Sequence, residues 1–415
     1  VPVFALFSTY MSTDPSLIFF WCLSLYLFYR AVHVGGWTWW LMTGIALGLG
    51  AMSKFLIFFL PASFGVFLLV SPKDREWFLR PHGYAAVALA VLVFSPCLVW
   101  NARHGWATFL FNFVVRQDSS GIKPEYVLEF IGGQALALSP GVFICGLVVI
   151  GSFFKEWRLR GDRGALLLGL SVIVPFVYFL FVSFTRRMGP HWPAGGWTGL
   201  IVALACSWSR DFPAGGARKV RLARDVSIII AVIMLVFVYA VVHIPQSCVV
   251  QLCRKFCPDR EAEAVEASGE RFGWEEFGIR VSETVEKMKE EYGSDVFVMT
   301  RQYGVSAAVA FYTPDQLDVH LWSRRRIHGE NYRYWDDYPA LKGMNALFVA
   351  KREKDITGSF NSLRTRFKKL DKPERVPIMK DGVEVRDFWM LRCYEFDGNK
   401  PDFGVIKDKT RLIDY

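Results

Sequence analysis

The chain has 415 residues, of which 53% are hydrophobic, with 36 Phe, 15 Trp and a formal net charge of +9. This composition excludes an ordinary soluble protein and is typical of a protein that crosses a membrane several times. The positive charge could suggest nucleic-acid binding, but much of it lies in short loops between apolar runs, where membrane topology explains it better. We therefore expect no nucleic-acid partner.

The long apolar runs are confined to one part of the chain, so two domains are predicted. Residues 1–245 hold nearly all of these runs, whereas residues 246–415 are charged and have the spacing of a water-soluble domain. We predict about eight complete spans, each near the roughly 20 residues that a bilayer core requires, although the second and seventh are short. The predicted bounds are 15–32, 37–52, 55–71, 83–101, 129–154, 165–185, 194–208 and 226–244.

The distribution of Lys and Arg among the short loops predicts the orientation of the chain. The loops richer in these residues contain Arg30 and the stretches 73–80, 155–163 and 210–224. The positive-inside rule places these richer loops in the cytoplasm. Asp14, Lys54, the loops 102–128 and 186–193, and the C-terminal domain are then predicted to share the outer face of the inner (plasma) membrane.

Beyond Pro245 the sequence predicts a small α/β domain. One helix face carries Phe277, Val281, Val285 and Met288. Strands are predicted at 296–300 and 346–350, a helix at 304–311, and a hairpin that turns at Asp381-Gly382. Because the sequence contains no Gly-rich phosphate loop and no GxSxG or HExxH motif, a soluble catalytic centre of those kinds is unsupported.

Two charged residues at the mouths of apolar runs are candidates for chemistry. Asp14 precedes Pro15 at the start of the first run. A local role is sufficient to explain it, because Thr13 or Asp14 could cap a helix that accepts Pro15 in its first turn. Lys54 lies between two closely spaced runs. It is either a functional charge or a side chain whose flexible stem carries its ammonium group to the interface.

The two outer loops supply the remaining candidates. Arg116 lies in the first loop, and Arg186 and Arg187 lie in the second. Two arginines at the outer end of a span oppose the topology bias, and a lipid phosphate would explain them, since guanidinium groups suit phosphate oxygens. The candidates for a substrate pocket are His104, Trp106, His191 and Trp192. For the two histidines a structural hydrogen bond is the more frequent explanation.

Four motifs occur in order across these loops: Thr13-Asp14-Pro15-Ser16, the stretch 48–55, the stretch 98–106, and Gly189-Pro190-His191-Trp192-Pro193-Ala194. Together they resemble the bacterial branch of glycosyltransferase family 39, which includes protein O-mannosyltransferases and the aminoarabinose transferases of lipid A. Phe272-Gly273-Trp274 and the stretch 342–347 also resemble the extracytoplasmic tail of bacterial members. The resemblance runs over nearly the whole chain.

The resemblance implies a GT-C fold, a multi-span bundle with an outward-facing cavity for a sugar carried on a polyprenyl phosphate. Asp14 looks like the second acidic position of the family and is expected to be an active-site carboxylate. The acid usually assigned as the base lies in an earlier outer loop, so we expect an N-terminal part before Val1. His191-Trp192 is similar to the family's His-Tyr, with Trp in place of Tyr.

Such a transfer requires a base for the acceptor and positive charge for the departing phosphate. The cationic candidates for binding the donor phosphate are Lys54, Arg116, Arg186 and Arg187. A divalent cation could replace part of that charge, but the visible ligands are too few to require one. The expected partners are a polyprenyl-phosphate sugar donor, membrane lipid, and an acceptor that is a protein, a lipid or a glycan.

Two other functions remain open from the sequence. A transporter or flippase would also have outer-face charges and proline-broken spans, but it should show internal repeats and ionisable residues at mid-span. No convincing internal repeat is evident, and the ionisable residues cluster at the ends of the spans. The chain could also be a non-catalytic fragment of a glycosyltransferase, since the first-loop acid is missing from it.

Overall fold

The computed structural model describes residues 1–9, 12–113, 121–209, 214–256, 272–322 and 332–400. The chain divides into two compact units, Val1–Val242 and His243–Asp414. The first unit is built from helices, and the second contains a sheet covered by helices on both faces.

The first unit contains helices α1 to α11 of the described chain. Two short 3-10 helices, Phe55–Phe58 and Arg75–Leu79, precede α4 and α5 respectively. The helices are α1 (Pro2–Thr9), α2 (Asp14–Val34), α3 (Trp37–Ser53), α4 (Phe59–Val70), α5 (Pro81–Arg103), α6 (Ala107–Phe113), α7 (Pro124–Leu138), α8 (Pro140–Arg160), α9 (Arg163–Ser183), α10 (Ala194–Trp208) and α11 (Ala214–His243).

Within the described ranges, four helices are long and apolar enough to cross a membrane: α2, α5, α9 and the Arg218–Ala240 part of α11. Three predicted spans are shorter helices. α3 has 17 residues and α10 has 15, and the predicted span 55–71 is a 3-10 turn followed by the 12 residues of α4. The prediction of a multi-pass helical membrane protein is confirmed, but these three helices fall short of the length expected for a complete crossing.

The predicted span 129–154 is wrong as a single helix. It consists of the end of α7 and most of α8, which are bent by 101° relative to each other. The break lies at the fully buried Ser139. Its φ angle of 81° is incompatible with a right-handed helix. Because Pro140 disfavours helical geometry at the residue before it, the sequence ends one helix here and begins another.

Two glycines four residues apart, Gly44 and Gly48, bring α3 and α5 into close contact. A Cβ at Gly44 would collide with the carbonyl oxygen of Ala86, and one at Gly48 would lie 2.7 Å from the carbonyl oxygen of Ala90. Both glycines therefore allow the α3 backbone to approach α5, as small residues do in membrane helix pairs.

A buried ion pair joins the segment after α4 to the start of α9. Asp74 is fully buried, and its Oδ1 lies 2.7 Å from Nη1 of Arg163, whose side chain is 24% exposed. The hydroxyl of Ser71 donates to the second oxygen of Asp74 at 2.5 Å. A buried carboxylate needs such partners, because an unpaired charge in an apolar environment is costly. In the sequence, Arg163 is recognisable only as part of a basic loop, and its pairing with Asp74 is not predicted.

The second unit contains five described helices and six strands. A 3-10 helix, Tyr338–Leu341, precedes β3. The elements are α12 (Gln246–Phe256), α13 (Trp274–Tyr292), β1 (Val296–Thr300), α14 (Tyr303–Tyr312), β2 (Val319–Leu321), α15 (Tyr332–Trp335), β3 (Asn345–Ala350), α16 (Glu353–Arg364), β4 (Phe367–Leu370), β5 (Glu374–Lys380) and β6 (Val383–Phe396).

The strands form a mixed sheet in the order β2-β1-β3-β6-β4, and β5 also pairs with β6. β1 runs parallel to β2 and β3, whereas β6 runs antiparallel to β3, β4 and β5. One sheet face packs against α13 and α14, and the other packs against α16. The predicted fold class, a helical membrane bundle with a small C-terminal α/β unit, is therefore confirmed.

Several local predictions for this unit also hold. Phe277, Val281, Val285 and Met288 are fully buried on one face of α13. The β5–β6 hairpin turns at Asp381 and Gly382, whose φ angles are 53° and 74°. Two consecutive positive φ angles are the geometry that an Asp-Gly turn provides.

Candidate active site

The ends of α2 and α3 bring Asp14 and Lys54 together. Asp14 is the first residue of α2, and Lys54 directly follows α3. The two helices are joined through Gly35 and Gly36, whose φ angles of 77° and 87° turn the chain back on itself. As a result, Nζ of Lys54 lies 2.7 Å from Oδ1 of Asp14, across 40 residues of sequence.

This ion pair is largely withdrawn from solvent. The Asp14 side chain is 7% exposed and that of Lys54 is 25% exposed. The hydroxyl of Ser12 lies 3.4 Å from Oδ2 of Asp14 and accepts the Asp14 amide hydrogen at 3.3 Å. Carboxylate and ammonium thus neutralise each other at the mouth of a helix, and the Lys54 side chain keeps partial contact with solvent.

The helix-cap interpretation of Thr13 and Asp14 is wrong. Thr13 precedes α2 with helical angles, φ −77° and ψ −9°, and its side chain makes no capping hydrogen bond. A capping residue normally adopts extended angles so that its side chain can reach the free amides. Asp14 lies within the helix, and its carboxylate is directed at Lys54 instead.

Aromatic contacts place α6 beside the Lys54 segment. The ring of Phe55 stacks on Phe109 of α6 at 5.2 Å and contacts Phe94 of α5 at 6.0 Å. Trp106 is 48% exposed, and its ring centroid lies 5.6 Å from that of Phe109. A row of three rings therefore leads from the residue after Lys54 to Trp106, one of the predicted pocket residues.

His104 is held by its own helix. Its Nδ1 lies 2.7 Å from the carbonyl oxygen of Trp100, and its ring stacks on the Trp100 ring at 4.2 Å. His104 therefore makes a structural hydrogen bond, the more frequent role of a histidine outside metal and proton-transfer sites.

Asn101 is a residue of this region whose role the sequence reasoning missed. It is fully buried, donates to the carbonyl oxygen of Cys97 at 2.9 Å, and accepts the amide hydrogen of Thr108 at 3.0 Å. These bonds fix the start of α6 against the end of α5. A polar amide at the end of an apolar run, followed by Gly105, is the signal that could have identified it.

The predicted phosphate-binding arginines lie in different settings. Arg187 pairs with Glu129 of α7 at 2.9 Å, and both side chains are largely exposed, at 72% and 48%. Exposed pairs contribute little to stability, so this contact leaves Arg187 able to exchange partners. Arg186 is partly buried beside it. Arg116 lies outside the described residues.

The second outer loop connects to the same region through its aromatic residues. Trp192 contacts Phe179 of α9 at 6.0 Å, and Phe179 contacts Phe59, the first residue of α4, at 5.3 Å. His191 adjoins Trp192 at a centroid distance of 6.5 Å, and its carbonyl oxygen accepts the Ala194 amide hydrogen. The loop that contains His191 and Trp192 therefore packs near the 3-10 segment that follows Lys54.

α10 also begins against the helix that carries Asp14. A Cβ at Gly195 would lie 2.6 Å from a ring carbon of Trp21, which is buried on α2. The start of α2, the segment after α3 and the start of α10 thus form one end of the bundle. Among the described residues, no group of three or more His, Cys, Asp or Glu side chains is placed to hold a metal ion.

Parts of the chain are similar to known transferases. Residues 1–100 match the profile of the family described as dolichyl-phosphate-mannose-protein mannosyltransferase. The chain is 28% identical over 212 residues to the lipid A galacturonosyltransferase RgtD of Rhizobium johnstonii, covering 49% of this chain and 42% of that protein. No solved structure matches the chain.

A second relative is the undecaprenyl phosphate-alpha-4-amino-4-deoxy-L-arabinose arabinosyl transferase 2 of Pseudomonas fluorescens. It is 27% identical over 194 residues, which cover 41% of this chain and 32% of that protein. The chain therefore spans less than half the length of the curated relatives it matches. The resemblance to family 39 glycosyltransferases that the motifs predict is confirmed over about half of the chain.

Proposed function

We propose that this chain belongs to a membrane glycosyltransferase that moves a sugar from a polyprenyl-phosphate donor to an acceptor on the extracytoplasmic face. The observation that carries the proposal is the shielded Asp14–Lys54 pair at the end of the bundle, flanked by the segments that contain Trp106 and Trp192. The named transferase relatives support the reaction class, and their names specify lipid A and an undecaprenyl-phosphate sugar.

The pair has the charges that such a reaction needs. In the transfer, the bond between the sugar's anomeric carbon and the donor phosphate oxygen breaks, and a bond to the acceptor oxygen forms. The phosphate leaves with its negative charge, which the Lys54 ammonium group can stabilise as it develops. Asp14 supplies a carboxylate that can accept a hydrogen bond from the acceptor hydroxyl or orient the group that takes its proton.

The arginines have a supporting role in this proposal. Arg186 and Arg187 lie on the loop before α10, and with Arg116 they provide positive charge for an anionic lipid. A guanidinium group binds phosphate oxygens in a bidentate manner. The Arg187 guanidinium lies over the Tyr126 ring at 5.3 Å, but its ion pair with Glu129 is exposed, so a lipid phosphate can take the place of that carboxylate. His104, Trp106, His191 and Trp192 would then border the pocket for the sugar or the carrier.

A transporter is less well supported than a transferase. The buried or shielded charge pairs of the first unit, Asp14–Lys54 and Asp74–Arg163, lie at helix ends. Substrate and coupling-ion sites of transporters lie near the middle of the bilayer instead. The named relatives are also transferases.

Replacing Lys54 tests whether its ammonium group serves the donor. In the full-length gene product, we expect Lys54→Met to lower kcat/KM for the lipid-linked donor by about 10- to 100-fold, the equivalent of about 1.5–3 kcal/mol for one charge-assisted hydrogen bond. Expression and membrane insertion should stay near normal. The assay follows transfer from a polyprenyl-phosphate sugar in membranes of known protein content.

Lys73→Met is the matched control for that variant, because Lys73 is an exposed lysine in a loop predicted to lie on the opposite face. Its kinetics should equal those of the unaltered protein. If Lys54→Met also retains full activity, Lys54 only carries its charge to the interface and does not bind the donor.

The orientation of the chain is a separate expectation, which rests on the asymmetry of Lys and Arg between alternate loops. Fusions of a reporter that is active only outside the cytoplasm should be inactive near residue 160 and active near residue 300. Identical behaviour of the two fusions would contradict the proposed extracytoplasmic location of residues 246–415.

A further inference from the structure

α12 has two opposite faces with different environments. On one face, Ser247 and Val250 are buried, and the Ser247 hydroxyl donates to Oδ2 of Asp381 in the β5–β6 turn at 2.8 Å. On the other face, Leu252 is 53% exposed and Phe256 is 68% exposed. Exposed Cys248 precedes Leu252 by four residues, so these three residues form one stripe along the helix. We call this apolar stripe, Cys248, Leu252 and Phe256, the outer stripe.

The outer stripe is an exposed apolar surface on a helix whose other exposed residues include Gln251 and Lys255. Leu252 and Phe256 lie one turn apart and are both more than half exposed. A helix face that meets only water normally carries polar side chains at such positions. The burial of Ser247 and Val250 fixes the rotation of the helix on the β5–β6 hairpin. The stripe must therefore point away from the sheet of its own unit.

The chain itself indicates which surface meets the outer stripe. The apolar part of α11 ends at Ala240, and α12 begins at Gln246 after the break at Pro245. With helical rise up to His243 and extended backbone beyond it, α12 starts at most about 15 Å from the end of that apolar part. If α11 crosses the bilayer, α12 therefore begins within reach of the headgroup layer.

The charge beside the stripe fits the same surface. Lys255 is exposed, and its ammonium group lies 5.5 Å from the centre of the Phe256 ring. Helices that lie in a membrane interface combine large apolar side chains on one face with flanking basic residues that meet lipid phosphates. Phe256 and Lys255 provide one of each at the end of α12.

We propose that α12 lies in the membrane interface, with the outer stripe inserted at the headgroup–acyl boundary of a bilayer containing anionic lipid. The Ser247–Asp381 bond would then hold the α/β unit directly on the membrane surface. This inference rests on chain continuity and on the exposure of the stripe, and it is independent of the proposed enzymatic activity.

The test compares thiol reactivity at two positions of the full chain in nanodiscs of phosphatidylethanolamine and phosphatidylglycerol. Leu252→Cys places a thiol in the outer stripe, and Glu283→Cys is the control on α13, where the native side chain is 49% exposed. Each variant is treated with a charged maleimide, which stays in water, and with N-ethylmaleimide, which enters lipid. Peptide mass spectrometry resolves the modified site, so the native cysteines can remain.

We expect the charged reagent to modify position 252 about tenfold more slowly than position 283, because a stripe at the acyl boundary is withdrawn from water. N-ethylmaleimide should modify both positions at similar rates. Equal rates with the charged reagent would mean that the stripe faces water. Slow modification of position 252 by both reagents would mean that protein, from this chain or a second copy, covers it. Either result would overturn the proposal.

Discussion

Asp14→Asn is expected to lower transfer activity on the order of 100-fold in the full-length gene product, the usual contribution of a group that takes part in proton transfer. Asparagine keeps the size of the side chain but loses the charge that meets Lys54 at 2.7 Å and would meet the acceptor. Asp14→Ala should lose a similar factor. The measurement is the transfer rate at saturating donor, with thermal stability of the purified protein followed in parallel.

Stability separates the catalytic role of Asp14 from a structural one. Lys54 is 25% exposed and has a flexible stem, so its ammonium group can reach water when Asp14 is neutral. Asparagine also keeps an oxygen that can accept a hydrogen bond from Lys54, so we expect Asp14→Asn to cost less stability than Asp14→Ala. Glu125→Gln, which alters an exposed carboxylate in the first turn of α7, should leave the rate unchanged.

Two outcomes would remove Asp14 from the site. One is full activity of Asp14→Asn with a loss in Asp14→Ala that only follows its lower stability. The other is recovery of activity when Lys54→Met is added to Asp14→Asn, because then the carboxylate would merely neutralise the lysine.

Asp74→Ala is expected to lower the free energy of unfolding by about 3–5 kcal/mol, because it leaves the Arg163 guanidinium group without the buried carboxylate that pairs with it. Asp74 is fully buried and the Arg163 side chain is 24% exposed, so water reaches the guanidinium group only in part once its partner is lost. The measurement is chemical or thermal unfolding of the purified chain in one detergent.

Two further variants make this prediction specific to burial. Glu76 lies two residues after Asp74 and forms an ion pair with Arg80, which Glu76→Ala removes. The Glu76 and Arg80 side chains are 55% and 47% exposed. Glu76→Ala should therefore cost less than about 1 kcal/mol. The double variant Asp74→Leu with Arg163→Leu should recover much of the loss, since it removes both buried charges together. A loss in Glu76→Ala equal to that in Asp74→Ala would contradict the explanation.

Local patterns predicted those parts of the fold whose structure depends on near neighbours. The burial of Phe277, Val281 and Val285 follows from their helical spacing, and the Asp381-Gly382 turn follows from the backbone preferences of its two residues. The right angle between α7 and α8 was not predicted, although Pro140 was visible. Mean hydropathy over a window is insensitive to a single residue with positive φ, such as Ser139.

The candidate site was predicted as separate residues and not as an arrangement. Asp14 and Lys54 each stand out in the sequence because a charge at the mouth of an apolar run is costly, but their pairing depends on how α2 and α3 turn at Gly35-Gly36. The same limit explains the incorrect cap interpretation. A sequence shows that Thr13 could bond to a free amide, but it does not show its backbone angles or a lysine 40 residues away that binds the neighbouring carboxylate.

Because α7 and α8 meet at a right angle at Ser139, the side of the membrane on which the later residues lie depends on whether this pair crosses the bilayer once or turns back. If α8 completes a crossing, the chain before α7 and the chain after α8 lie on opposite faces of the bilayer. A pair that turned back as a re-entrant loop would return to its face of origin and reverse every downstream segment. Basic residues at the end of α8, among them Arg158 and Arg160, favour the crossing. The side of the membrane on which the α/β unit lies thus depends on the conformation of the chain at Ser139-Pro140.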